Sequence, residues 1–205
     1  LGLGDTATGL IFFALLGLLS FLAALPFDVA GTFGLERRFG FGTTSTATFA
    51  TDRLKTLALA TAIGGPLLAA ALWLFGTYGP GAWLACWAVC ALALVALQHA
   101  APTWLMPLFN SFTPLTPGPL RTALEETARA CGFELTDISV MDGSRRSTKA
   151  NAFFAGFGRR RRIALFDTLI ERHPDREVVA VLAHEMGHAR LGHIPLRLAA
   201  GVLQL

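Results

Sequence analysis

Long apolar runs alternate with short charged segments along this chain. No charged residue stands between Thr6 and Phe27, and no Asp, Glu, Lys or Arg stands from Thr56 to Leu120. A helix needs about 20 apolar residues to cross the hydrocarbon core of a bilayer. The pattern predicts membrane spans at about residues 8–25, 57–75 and 83–101, with a cytoplasmic loop at about 28–55. A signal peptide is the alternative for the first span, and a buried soluble hairpin is the alternative for the later pair.

Residues after about 110 have a different, mixed pattern. Leu120 to Cys131 has the apolar spacing of an amphipathic helix, and Gly132 ends it. Short apolar or alternating runs predict strands at residues 137–142, 151–155 and 162–166, and Asp167 is expected to cap the next helix. A small sheet should result, with one edge free to pair with an extended peptide or left as an ordinary edge strand.

The pentapeptide His184-Glu185-Met186-Gly187-His188 carries the clearest chemistry. Two imidazoles four residues apart share one face of a helix, where they can chelate Zn²⁺ beside a carboxylate that activates water. The preceding apolar run, residues 178–183, predicts a buried helix that begins near Pro174, so these polar groups should need partners. The alternative is that the two histidines lie on the helix surface and bind no metal ion. The motif predicts His184 and His188 as zinc ligands and Glu185 as the catalytic base.

A zinc site needs a third protein ligand, and no Asp, Glu or Cys follows His188. His193 lies nine residues after His184, which on one continuous helix places it on the far side. Leu191 also departs from the longer metalloprotease pattern, which has Gly at that position. We therefore expect His193 to be structural or solvent-facing. The chain begins at Leu1 and ends at Leu205 within an apolar stretch, which indicates a fragment whose third ligand lies elsewhere.

The fold class expected is a mainly α, polytopic membrane protein with a small cytoplasmic α+β catalytic segment that carries the HExxH helix. Residues 1–110 form the membrane region, and residues 111–205 form the N-terminal part of a zinc metallopeptidase domain. All 17 Lys and Arg residues lie in two segments, Arg37 to Lys55 and Arg121 to Arg197, which an even number of spans puts on one side. The positive-inside rule makes that side cytoplasmic.

The basic residues raise the question of nucleic acid, most clearly at residues 159–162, which are all Arg. No aromatic recognition pattern accompanies them, so lipid headgroups or solvent are the expected partners and nucleic acid is not. Arg145, Arg146 and Lys149 are candidates to stabilise the oxyanion of a hydrolysis reaction, but solvated surface charge is the default expected for Lys and Arg. Fifteen Arg against two Lys indicates a GC-rich bacterial genome, and hence a bacterial inner membrane.

Several longer segments resemble one family, the integral-membrane CAAX prenyl proteases, which are zinc metalloproteases. The resemblance is carried by the following segments: Leu25 to Phe27, Leu35 to Phe41, Pro107 to Leu115, Val140 to Ser147, Asn151 to Gly158, and Ile163 to His188. It implies a peptide or protein substrate, possibly prenylated, and a third zinc ligand, a Glu on a later membrane helix that this chain does not contain. It also implies that Asn151, Ala152 and Phe153 contact the substrate.

Two other functions stay open. An HtpX-like membrane quality-control protease would share the zinc helix but degrade damaged membrane proteins. A catalytically inactive membrane scaffold or peptide-binding protein would keep the fold without a complete zinc site. Loss of peptide cleavage on replacing Glu185 separates the proteases from the scaffold.

Overall fold

The computed structural model describes residues 4–155 and 160–204. They form two compact units, one up to Ala96 and one from Leu97 to Gln204.

The first unit is helical. Its helices are α1 (Asp5–Val29), which continues as a π-helical segment (Ala30–Glu36), α2 (Thr46–Tyr78), a 3-10 turn (Gly79–Ala82), and most of α3 (Trp83–Ala100). Among the described residues, two helical runs are long and apolar enough to cross a membrane, Asp5–Glu36 and Thr46–Phe109. The second run includes both of the later predicted spans.

Helices α1 and α2 run antiparallel. Near the loop that joins them, Arg53 Nη1 lies 2.9 Å from Asp28 Oδ2. Far from that loop, a Cβ added at Gly9 would lie 2.9 Å from Leu72 Cδ1, so the helices approach closely there. Helix α2 begins where Ser45 Oγ accepts a hydrogen bond from Thr48 N, an N-cap that satisfies one of the free amides of the first turn. The ion pair of Arg53 with Asp28 and the close approach at Gly9 thus join α1 to α2.

The predicted connection at residues 77–81 is a reversal of the chain. Gly79 ends α2 with φ of 62°, a conformation that costs glycine little. After the turn, Cys86 Sγ lies 4.0 Å from the carbonyl oxygen of Ala71, so α3 returns alongside α2. The run Thr46–Phe109 therefore supplies two antiparallel apolar segments.

The second unit combines helices with a sheet. After a π-helical segment (Ala101–Leu105), its elements are α4 (Met106–Phe109), β1 (Phe112–Pro114), α5 (Pro119–Ala130), β2 (Glu134–Met141), a 3-10 turn (Gly143–Arg145), β3 (Ala152–Ala155), β4 (Arg160–Phe166), α6 (Asp167–Arg172), α7 (Asp175–Arg190) and α8 (His193–Leu203). The strand order is β1-β2-β4-β3; β2 and β4 are parallel, and the other two pairs are antiparallel. Strand β3 therefore forms an edge.

The two faces of this sheet differ. One face carries the row Ile138, Ile163 and Phe154, which packs with α5 and α7 into the core. The other carries the row Ser139, Ala164 and Phe153. The alternation of side chains along each strand produces this division.

Arg161 lies near the edge of the core. Its guanidinium carbon is 5.5 Å from the ring centroids of both Phe133 and Phe154, an arrangement that favours a cation. Burial lowers the pKa of Arg161 from its ordinary value, because desolvation disfavours the charged form.

All three strands predicted from sequence are present, as β2, β3 and β4. Strand β1 was not predicted. Asp167 does not cap α6, because Phe166 holds the cap position and Asp167 is the first helical residue. The Asp167 carboxylate instead accepts hydrogen bonds from Ser144 N and Thr168 N, both at 2.8 Å.

Candidate active site

Helix α7 carries the His184–His188 motif. Pro174, predicted as the first helical residue, is the cap residue just before it, with φ of −64° and ψ of 152°. Asp175 and Glu177 lie in the first turn, where acidic groups favour the positive end of the helix dipole. The helix ends at Arg190, and Gly192 follows with φ of 70°.

The core face of α7 is formed by Val178, Leu182 and Met186, which are all buried. Each histidine of the motif lies two positions after a core residue and is turned from it by about 200° around the helix. Both histidines are exposed. The expectation that they are buried is wrong, because the apolar run before the motif supplies only one stripe of the helix and the histidines lie off that stripe.

The two imidazoles of the motif meet through their Nε2 atoms. His184 Nε2 and His188 Nε2 lie 3.0 Å apart, and the ring centroids lie 4.5 Å apart. Two imidazole nitrogens bound to one tetrahedral zinc ion at 2.0–2.1 Å would be separated by about 3.3 Å. The pair therefore fits a divalent metal ion with little movement.

His193 is the third imidazole of this cluster. Its Nδ1 lies 2.8 Å from Nδ1 of His188. The expectation that it lies on the far side of the helix is wrong, because α7 and α8 are separate helices with the left-handed Gly192 between them. This break turns the chain back so that His193 reaches His188 from the start of α8.

Glu185 follows His184 on α7 and is half-buried. It is turned by about 60° from Leu182, so it stands between the core stripe and the histidines. Within residues 4–155 and 160–204, no group of three or more His, Cys, Asp or Glu side chains is arranged to hold a metal ion. The described part of the chain thus provides a histidine pair and an adjacent carboxylate.

The predicted substrate contacts Asn151, Ala152 and Phe153 lie at edge strand β3. Phe166 N donates to the carbonyl of Asn151 at 3.0 Å, so alternation turns the backbone N–H and C=O of Phe153 toward β4 and those of Ala152 and Phe154 outward. Ala152 N donates to Asn151 Oδ1 at 2.9 Å. Ala152 and Phe154 also share the core with α7, so the structure brings this strand and the motif helix together.

A cavity of about 770 Å³ lies beside the Phe153 face of the sheet. Ser139 and Ala164, both small, lie in the same row as Phe153 and leave space above them. The rings of Phe112 and Phe153 meet edge to face there, with centroids 6.5 Å apart. The residues that complete the lining include Pro102, Thr103, Pro107, Asn110 and Arg162.

Sequence reasoning did not predict the contacts of two residues, His193 and Arg146. His193 could have been found, because Arg190 in a last turn followed by Gly192 is a pattern typical of a helix end. Arg146 had no such signal: its partners, Phe109 and Asn110, precede it by 37 and 36 positions.

Comparisons with known proteins cover almost the whole chain. Residues 2–111 match the family model described as the CAAX prenyl protease N-terminal region with five membrane helices, and residues 114–205 match peptidase family M48. Together with the long apolar helices, these matches define an integral membrane protein. The chain belongs to the CAAX prenyl protease family of M48 peptidases.

Relatives are found in yeasts and plants. CAAX prenyl protease 1 of Saccharomyces cerevisiae is 42% identical over 92% of this chain and 42% of its own length. An Arabidopsis thaliana homologue is 38% identical over 82% of this chain and 40% of its own length. The crystal structure of S. mikatae Ste24p is 37% identical, with a TM-score of 0.92, over 98% of this chain and 47% of that chain. The chain thus spans less than half the length of these relatives.

Proposed function

We propose that this chain carries the catalytic helix and the substrate-binding strand of a membrane-embedded zinc metalloendopeptidase. The observation that carries the proposal is the 3.0 Å separation of the Nε2 atoms of His184 and His188, with Glu185 beside them on α7. Neutral imidazoles in this arrangement suit Zn²⁺. The roles of these site residues are predictions, and the replacement of Glu185 by Gln tests them.

His184 and His188 would hold the zinc ion through Nε2. When bound, zinc supplies Lewis-acid polarisation of the scissile carbonyl and lowers the pKa of water. His193 would orient His188: when His188 donates from Nδ1 to Nδ1 of His193, the lone pair of His188 Nε2 remains for the metal ion. The third zinc ligand is proposed to be a Glu on a later membrane helix, as the family resemblance implies.

Glu185 is the proposed general base. It accepts a proton from the attacking water and later delivers that proton to the leaving amine. Its half-buried position close to the histidine pair supports this role. A positioned acid–base group contributes about 10²–10⁴-fold to rate.

The substrate would bind as an added strand on the free edge of β3. The outward backbone groups of Ala152 and Phe154 supply the ladder, and the Asn151 amide would exchange its bond to Ala152 N for one to the peptide. Alternate side chains of the peptide would then lie on the Phe153 face, near the cavity.

The proposed substrates are proteins with a C-terminal CAAX sequence, with or without a prenyl group, because the relatives are named CAAX prenyl proteases. The catalytic side is proposed to face the cytoplasm, by the distribution of Lys and Arg. The relatives named above are eukaryotic, so a bacterial inner membrane is supported by the Arg-rich composition alone.

The deciding experiment replaces Glu185 by Gln in the complete protein. Cleavage of a farnesylated CAAX peptide should fall by about 10²-fold or more, while the zinc content measured by atomic absorption stays unchanged. Glu177→Gln is the matched control, since Glu177 lies in the first turn of the same helix and pairs with His173 at 2.9 Å. Unchanged cleavage in Glu185→Gln would contradict the mechanism, and a purified protein without zinc would favour the scaffold function.

A further inference from the structure

The loop from Asp142 to Lys149, called the bracket loop below, joins β2 to β3. At its start it is tied to the segment after α4. Asp142 Oδ1 accepts a hydrogen bond from Ser111 N at 2.8 Å, and Asp142 N donates to the Ser111 carbonyl at 3.2 Å. Because both partners on Ser111 are backbone atoms, the tie fixes the position of the chain itself.

Arg146 makes the second tie to the same place. Its Nη1 donates to Asn110 Oδ1 at 2.9 Å, and its Nη2 donates to the carbonyl oxygen of Phe109 at 2.5 Å. Phe109 is the last residue of α4, where carbonyl groups lack helical partners and a cation is favoured. Arg146 is half-buried, so it is a fixed contact and not the solvated surface charge that the sequence predicted.

The other side of the bracket loop is tied to the end of β4 and the start of α6. Gly143 packs on Phe166 so closely that an added Cβ would lie 2.4 Å from its ring. Ser144 N donates to Asp167 Oδ1 at 2.8 Å. Buried Thr168 donates through Oγ1 to the carbonyl of Lys149 at 2.9 Å, two residues before Asn151.

These contacts connect the end of α4 to the start of the edge strand. Only five positions separate Arg146 from Asn151, whose carbonyl accepts from Phe166 N. Strand β3 also contacts the motif helix α7, because Ala152 and Phe154 belong to the same core as Leu182. His184 and His188 are exposed and lie off that core stripe, so a change in the bracket loop should alter the edge strand more than the histidine pair.

We propose that Arg146 is a positioning residue for substrate binding: it holds the bracket loop to the end of α4 and thereby sets the place of edge strand β3. The proposal rests on the proposed peptidase function. Arg146 does not touch the reacting atoms. Its loss weakens peptide binding and leaves the chemical step intact.

The test compares Arg146→Gln with Arg145→Gln in the complete protein, with a farnesylated CAAX peptide as the probe. Arg145 is the matched control, because it belongs to the same loop but reaches only Asp142 Oδ2 at 4.0 Å with a half-exposed side chain. Arg146→Gln removes a charged donor that makes two hydrogen bonds, so KM should rise about tenfold while kcat changes less than about twofold. Arg145→Gln should change neither constant by more than about twofold.

Two further variants keep the test decisive if Arg146→Gln folds poorly. Arg146→Lys keeps the charge and a donor, and should restore part of the KM. Asn110→Ala removes one acceptor and leaves the bond to Phe109, so its KM should rise by less than that of Arg146→Gln. Binding of the same peptide to the inactive Glu185→Gln protein should weaken by the same factor when Arg146→Gln is added.

The outcomes separate this inference from the proposed function. A wild-type enzyme that cleaves the peptide, with equal KM in Arg146→Gln and Arg145→Gln, overturns the inference and leaves the peptidase function standing. A fall in kcat at constant KM also overturns it. Absence of cleavage and of peptide binding in the wild-type protein overturns both.

Discussion

The helices of residues 4–96 and the sheet unit of residues 97–204 use apolar side chains in opposite ways. In the described part of the first unit, the buried residues are Thr44, Thr48 and Ala82, while large apolar side chains such as Leu19 and Phe12 are exposed. In the second unit, Leu, Ile, Val and Met residues fill a buried core.

This difference shows that apolar composition alone does not tell what holds a region together. Lipid solvates exposed Leu and Phe as well as a protein core does, so packing of large apolar groups gives the membrane helices little drive to associate. The contacts that join α2 to α1 and its π-helical continuation include a salt bridge, an aromatic pair of Phe33 and Phe49, and the close approach at Gly9.

The largest effect is expected when one leucine in each unit is replaced by alanine. Leu182→Ala should lower the free energy of unfolding by about 2–5 kcal/mol, because Leu182 is 1% exposed and its loss leaves a cavity. Leu19→Ala, at a residue that is 64% exposed, should change it by less than about 0.5 kcal/mol. Thermal unfolding in detergent measures both, and similar losses would refute the contrast.

A second test asks whether the exposed face of α7 is as precisely arranged as its core. His193→Ala should weaken zinc binding about 10–100-fold, since His188 loses its Nδ1 partner. Competition with a chelator measures this affinity. His193→Asn, which keeps an acceptor, should retain more of it, and His173→Ala is the control. An affinity unchanged in His193→Ala would mean that the contact does not orient His188.

The third test concerns the ion pair between the membrane helices. A double-mutant cycle with Asp28→Ala and Arg53→Ala should give a coupling energy of about 0.5–1 kcal/mol, because both side chains are one-third exposed and water screens the pair. The coupling should decrease as salt is added. Unfolding measured in detergent at low and high salt provides the value, and zero coupling at low salt would leave α1 and α2 without this electrostatic tie.

The smallest expected effect separates two glycines of α1. Alanine at Gly17 meets no atom within 4 Å and should stabilise the helix by up to about 1 kcal/mol. Alanine at Gly9 meets Leu72 at 2.9 Å, so most of that gain should be lost. Equal stabilisation in both variants, measured by thermal unfolding, would show that Leu72 moves aside freely.

Sequence reasoning predicted the apolar helices, and each of the three proposed spans lies within a helical run of the structure, while their place in a membrane stays a prediction. The second span was predicted at residues 57–75, whereas α2 extends from Thr46 to Tyr78. The helix continues beyond the apolar run because the Ser45 cap and polar residues support it outside lipid. Helix ends depend on such local bonds more than on hydropathy.

Other features depend on contacts between distant parts of the chain. Strand β1 has three residues including Pro114 and exists only through its pairing with β2. The parallel pairing of β2 with β4 has no local signature, because β3 lies between them in sequence. The site could be predicted only in part. The spacing of His184 and His188 predicted that they share a helix face, whereas the contact of His193 with His188 depends on the backbone angle of Gly192.

The length of α2 has a mechanical consequence. Its 33 residues span about 50 Å, against about 30 Å for the hydrocarbon core of a bilayer. If α2 crosses the bilayer along its normal, about 20 Å of this helix would stand outside the hydrocarbon core, and the charged residues Asp52, Arg53 and Lys55 mark the end that does. The ion pair of Arg53 and Asp28 would then lie near the boundary between lipid and water.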